Sequence, residues 1–276
     1  MKNIKYLLAI ILFTVISNAQ PSWKADETTV NTNLSLFNST SVFSLPTTET
    51  QSKGDIYFGV YHKFVLPVSN GIDDLFGIDG SVVMRLALGY TPFENLFLNF
   101  GRSNKDGNFD LQAKYKFFDY DNELMPMNFA INAGVAYNSK LNPEPVDKSR
   151  LYQYFFSFIA NTMIVKKLGI GLVSTILLNS NCNCEEVYNS ITLGAYLQYY
   201  FNEHWSLFVE ANPTLDGWRS KYDTYTVGTE YEIGGHFFKI ILSNNTGLNS
   251  THIHSGAADK FESGDLHLGF VISRVL

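Results

Sequence analysis

The feature that most constrains this chain is a period of two, sustained over segments of roughly ten to twelve residues that recur from Asp55 to Leu276. In 107–118, Phe109, Leu111, Ala113, Tyr115 and Phe117 share one face, while Asp110, Gln112, Lys114 and Lys116 share the other. Val82, Met84, Leu86, Leu88 and Tyr90 repeat the pattern, with Arg85 on the opposite side, and so do Phe129, Ile131, Ala133, Val135 and Tyr137. A helix cannot keep apolar residues on one side with this spacing; a strand between an apolar and an aqueous phase can. The segments fall near 56–66, 82–90, 95–103, 107–118, 129–137, 151–165, 169–179, 191–201, 205–211, 223–233, 237–245 and 266–272. They predict an all-β fold: a closed antiparallel transmembrane β-barrel of about twelve strands, the even number that single-chain barrels of this kind have.

The connections test this reading independently. Short links at 91–94, 166–167, 202–204 and 234–235, with a somewhat longer one at 119–126, alternate with long ones at 67–80, 138–150, 180–188, 213–222 and 246–264; the loop at 105–107 is the one short exception. Barrels of the outer membrane alternate in this way between short periplasmic turns and longer outer loops. Pro67, Pro92, Pro126, Pro143 and Pro145 sit at segment ends or in links, where a residue without an N–H leaves the ladder intact. A soluble β-sandwich also alternates, but its outer faces need more polar positions than the Tyr-, Phe- and Leu-rich side of these segments provides.

The N-terminus supplies the address. Lys2 and Lys5, the apolar run 6–16 and Ser17-Asn18-Ala19 read as a secretory signal, residues 1–19, cut before Gln20. The run is too short to span a bilayer, and no later stretch is apolar enough to do so as a helix. With 16 Tyr, 22 Phe and 3 Trp, the exported chain suits a barrel in the outer membrane of a Gram-negative cell. Its expected partners are outer-membrane lipid, the barrel-insertion machinery and a small solute. Removing Lys2 and Lys5 from the 20 basic side chains leaves 18 against 26 acidic ones, a balance of −8 that argues against nucleic acid. Residues 20–54, rich in Thr, Ser and Asn, read as a flexible periplasmic lead-in or a plug ahead of the barrel at 55–276.

Residues 55 to about 140 carry Tyr61-His62-Lys63-Phe64, Leu75-Phe76-Gly77-Ile78-Asp79-Gly80, Arg85-Leu86-Ala87-Leu88-Gly89-Tyr90, Phe100-Gly101-Arg102-Ser103 and Lys114-Tyr115-Lys116. This set resembles a family described as a membrane-bound β-barrel domain of unknown function. The family has His-Arg-Phe-Gly where this chain has His62-Lys63-Phe64-Val65. The resemblance implies the barrel and no activity.

Among possible sites, the inward charges stand out. Arg85, Lys114 and Lys116 lie on the second and fourth segments, and Glu210, Glu230 and Glu232 on the ninth and tenth. In a ring of twelve the two sets face each other, so they either set a transverse field across water or close the lumen with ion pairs. Asp110 and Lys239 interrupt that segregation. Three functions compete: a narrow channel or solute-binding barrel, a structural or partner-binding protein, and a lipid-acting enzyme using His62 on the lipid face. The sequence contains none of the usual hydrolase, metalloprotease or nucleotide-binding signatures and calls for no cofactor. Cys182, Cys184, His252 and His254 could ligate zinc or copper if their two loops met; the alternative is a thiol pair, oxidised or free, with two solvated histidines. The acidic loop 71–80 lacks the frame of an EF-hand and reads as a run of turns.

Overall fold

A computed structural model describes residues 34–141, 148–184 and 186–276; the signal segment, residues 20–33 of the lead-in, and Pro143 and Pro145 lie outside the described residues. Thirteen strands follow one another: Ile56–Phe64 (β1), Val82–Phe93 (β2), Leu96–Ser103 (β3), Asn108–Tyr120 (β4), Met127–Asn138 (β5), Tyr152–Ile164 (β6) and Leu168–Leu178 (β7). Then come Asn189–Tyr200 (β8), Trp205–Asn212 (β9), Thr214–Gly217 (β10), Thr224–Ile233 (β11), His236–Ser243 (β12) and His267–Val275 (β13). Apart from the short β10, which pairs with β8, each strand pairs antiparallel with the strands next along the chain, β9 with β11, and β1 pairs with β13 from Tyr57↔Val275 to Lys63↔Gly269, which closes the ring. No described helix is long and apolar enough to cross a membrane.

The closed barrel has twelve staves, because β9 and β10 are one stave interrupted at Pro213 and both pair with β8. The sequence places 213–222 in a loop; in fact Thr214–Gly217 resumes the ladder opposite Ser190–Thr192. Proline cannot donate, but its carbonyl still accepts from the Leu193 amide, so the interruption is local. A second irregularity is the bulge between Lys116 and Phe118, which turns Phe117 and Phe118 both outward and ends the strict alternation of β4.

The outer wall carries the apolar side chains of the period-two pattern, Leu86, Leu88, Leu111, Tyr115 and Leu197 among them, all exposed. For a membrane wall this is the solvated state, since hydrocarbon covers it. The inner wall is polar and yet buried, as Arg85, Asp110, Lys114, Asn161, Glu210, Glu230 and Lys239 all are. Polypeptide packed against these groups occupies much of this interior. Its core is a cluster in which Phe37, Val42, Phe43 and Leu45 pack against Tyr57, Phe97, Tyr196, Phe208 and Ile241 of the wall.

Two glycines of the recognised motifs have steric reasons. Gly77 has φ of 91°, and a Cβ there would collide with the Leu66 carbonyl. Gly101 lets the Arg85 guanidinium cross the face of β3, where any Cβ would strike it.

Candidate functional site

The interior is occupied from the short-turn rim by residues 34–49, which run up the lumen and turn back. Val42 donates to the Leu45 carbonyl at the tip, and the Thr47 amide and hydroxyl reach back to the Thr40 and Ser39 carbonyls. One Glu49 oxygen accepts from the Leu36 and Phe37 amides, tying the two limbs at their base. Thr, Ser and Asn suit such a segment, because their side chains satisfy a backbone that forms no regular ladder.

The wall grips this hairpin through the charges of the sequence pattern. Glu210 of β9 accepts the three consecutive tip amides of Phe43, Ser44 and Leu45 at 2.9, 3.0 and 3.0 Å. Three successive N–H groups converging on one carboxylate form an anion cradle, and charge makes each bond stronger than a neutral one. Lys114 of β4 donates to Thr40 O at 2.7 Å and Thr47 O at 2.9 Å, clamping the ascending limb to the descending one. Lys116 reaches Leu34 O at 3.0 Å near the base.

The remaining charges are settled within the wall. Arg85 forms a two-pronged pair with Asp110, at 2.9 and 2.6 Å, passing over Gly101. Glu230 pairs with Lys239 on the adjacent strand at 2.7 Å, and Lys239 also donates to Ser41 O and Val42 O. Glu232 stands half-buried near the short-turn rim, where it accepts from Gly235 N. The expected confrontation across the ring is therefore corrected: Lys114 and Glu210 do face inward from distant staves, but each takes hold of the hairpin. Backbone amides and carbonyls fill what the sequence suggests is either open water or direct ion pairs.

From the long-loop rim a second segment enters, the stretch after β12 that includes the short helix Ser250–His254 (α1). Asn245 anchors it: its Nδ2 lies within hydrogen-bonding distance of Thr224 Oγ1, His252 O and Gly256 O, and its Oδ1 accepts from Gly247 N. Lys63 donates to Asn245 O and Gly247 O at 2.7 and 3.0 Å, so this lysine holds the insert. His254 is fully buried, with Thr192 Oγ1 and Asn212 Nδ2 at 2.9 and 3.2 Å from its Nδ1, and burial lowers its pKa from 6.5 to about 4. Phe43 and Ser44 of the hairpin and Leu248 and Ser250 of the insert border one cavity of about 60 Å³ at mid-lumen.

Residues 37–276 match the family described as a membrane bound beta barrel domain, DUF5777. The chain belongs to this family. The match begins at Phe37, so the DUF5777 region takes in most of the hairpin together with the wall. An outer membrane channel from Pseudomonas putida shares the fold, with a TM-score of 0.52 at 13% identity over 83% of this chain and 97% of that one. The NanC porin aligns with a TM-score of 0.46 at 9% identity, over 80% of this chain and 98% of that one. The KdgM porin aligns with a TM-score of 0.46 at 11% identity, over 80% and 97%. No curated protein matches the chain by sequence.

In this DUF5777 barrel the four candidate metal ligands are not brought together as a set. Among the described residues no three His, Cys, Asp or Glu side chains converge on one point. Cys182 is buried against the Asn138 and Asn179 amides, Cys184 faces Asn181, and both thiols are free. His252 Nε2 lies 3.0 Å from Asp106 Oδ2, and His254 points instead at the wall hydroxyls. His62 stays on the lipid side, its ring stacked on Phe270 with centroids 4.6 Å apart. Four side chains that hold the inserts escape the sequence reading: Lys63 and Asn245 at the outer one, and at the hairpin Asn161, which accepts from Thr48 N, and Tyr196, which donates to Pro46 O. Lys63 could have been found by parity, since it alternates with outward His62 and Phe64; the three neutral groups leave no comparable signal.

Proposed function

We propose that this protein is an outer-membrane barrel forming a narrow channel held closed at rest by two of its own segments. The observation that carries the reading is the hairpin clamped in the lumen by Glu210 and Lys114 from different staves. A barrel that serves only as an anchor has no need of buried charges on its inner wall, where each costs desolvation unless fully partnered. Here the partner is a segment outside the sheet, bound by side-chain contacts and by no strand pairing with the wall. Such a segment can leave without breaking the sheet. Alternation of short and long links supports a periplasmic short-turn rim and an outward long-loop rim.

Planar-bilayer recording tests this. The full chain should show rare, small conductance steps, and a variant lacking residues 36–48 should show sustained ones. A milder variant, Lys114→Met with Glu210→Gln, keeps the chain length and should raise open probability. If both variants assemble, by heat-shifted gel mobility, yet stay silent, the barrel is structural or partner-binding and the channel reading fails.

A further inference from the structure

The long-loop rim holds a hollow of about 210 Å³ above the outer insert, lined by strand ends and by five of the connections between strands. It is far larger than the roughly 10–15 Å³ one water needs. Its lining is chemically uneven. Neutral hydrogen-bonding groups dominate, from Asn138, Gln153, Asn181 and Asn245, and beside them stands the half-buried indole-bearing residue Trp218. The charges that reach the hollow are already engaged: Asp106 by His252, Asp259 by His267, and Lys105 by the Thr246 hydroxyl at 2.9 Å. Two lining residues keep a buried polar atom without a protein partner, Ser180 Oγ and His252 Nδ1.

We infer that this hollow is a binding site for a neutral polyhydroxylated ring, a sugar of about one or two units. Amides and hydroxyls both donate and accept, as sugar hydroxyls require in return. An indole offers the apolar face on which the C–H side of such a ring packs, with a polar edge left over. A charged solute of either sign would meet Lys105 together with Asp106 and Asp259, opposite charges side by side in one lining. A purely apolar one would leave the buried Ser180 Oγ and His252 Nδ1 without a partner. The backbone of Trp218 is fixed independently of its ring, its N–H donating to Asn189 O and its carbonyl accepting from Ser190 Oγ. The site deepens the channel reading by naming what meets its outer mouth, but binding itself does not depend on conduction.

Equilibrium dialysis of the detergent-solubilised full chain separates the two. The probes are glucose, N-acetylglucosamine, maltose and lactose, with glucuronate and glucosamine as charged controls. At least one neutral sugar should bind saturably and more tightly than either charged analogue. Trp218→Ala should weaken it about tenfold, Trp218→Phe should retain most of it, and Ser180→Ala should weaken it about threefold. Heat-shifted mobility confirms that each variant is folded. The inference is overturned if no neutral sugar saturates, if Trp218→Ala binds as the parent does, or if the charged analogues bind as well as the neutral ones. Sugar binding by a barrel that never conducts would leave this site standing and sink only the channel.

Discussion

The two segments that fill the lumen are held by different chemistry. The hairpin of residues 34–49 is gripped by ions: Glu210 at its tip, Lys114 across its limbs, Lys239 and Lys116 along its length. The outer insert is gripped mainly by neutral groups, with Asn245 at its centre, Asn212 and Thr224 on the Ile253 carbonyl, and Lys63 as its main cation. Ionic grips are strong when intact and costly when one partner is removed, whereas a neutral network fails bond by bond. One lumen is thus closed by two stoppers that separate treatments should loosen.

The largest effect falls on the hairpin. Glu210→Ala strands three buried amides, and the local stability of 42–46 should drop by about 4 kcal/mol, a gain near a thousandfold in amide exchange. Exchange at 249–254 should not change; if it rises equally, the two inserts act as one body.

Acid should do the reverse. His254 has a folded pKa of about 4 against an ordinary 6.5, so its packing is fully favourable above pH 6.5 and weakens as pH falls toward 4. The loss reaches about 3 kcal/mol at pH 4 and then levels off. Burial raises the pKa of Glu49 instead, so its charge costs the hairpin stability at neutral pH and that cost fades as pH falls through the raised value. Exchange measured at pH 7 and pH 4.5, corrected for intrinsic rates, should show 249–254 loosened and 36–48 not.

Asn245→Ala comes next, with about 2 kcal/mol lost from the outer insert as the contacts of its side-chain Nδ2 and Oδ1 disappear. Proteolysis in the loop 246–265 reads it out, and the hairpin should stay protected. The smallest effect is on thiol labelling. Burial pushes the Cys182 thiol up to about 11, so Cys184 should react first, and Cys182 should speed up in Asn245→Ala but not in Glu210→Ala.

What was legible in the sequence follows the same division. The lipid-facing side of each strand could be read because hydrocarbon imposes one rule on every outward residue, and Leu111, Tyr115 and Leu197 obey it irrespective of their neighbours. The inner wall has no such rule. Arg85 answers to Asp110 two strands away, across a glycine, and Glu210 answers to backbone amides, which have no residue identity for a pattern to catch. The sequence therefore picks out Arg85, Lys114, Lys116, Glu210 and Glu230 as inward residues without revealing what they touch. Lys239, an apparent interruption of the charge pattern, is the register partner of Glu230. Only where chemistry repeats down the chain does spacing report it.

The hairpin also bears on how the molecule is put together. It stands immediately before β1, and β1 with β13 forms the pairing that joins the two ends of the sheet. An open sheet has free access to its concave side; a closed one offers a bulky, branched segment only the width between opposing side chains. Assembly that joins β1 to β13 last would wrap the wall around a hairpin already delivered with its first strand, with Glu210 and Lys114 as docking points on the still-open sheet. The segment that closes the finished lumen would then also be the mandrel on which the barrel is formed.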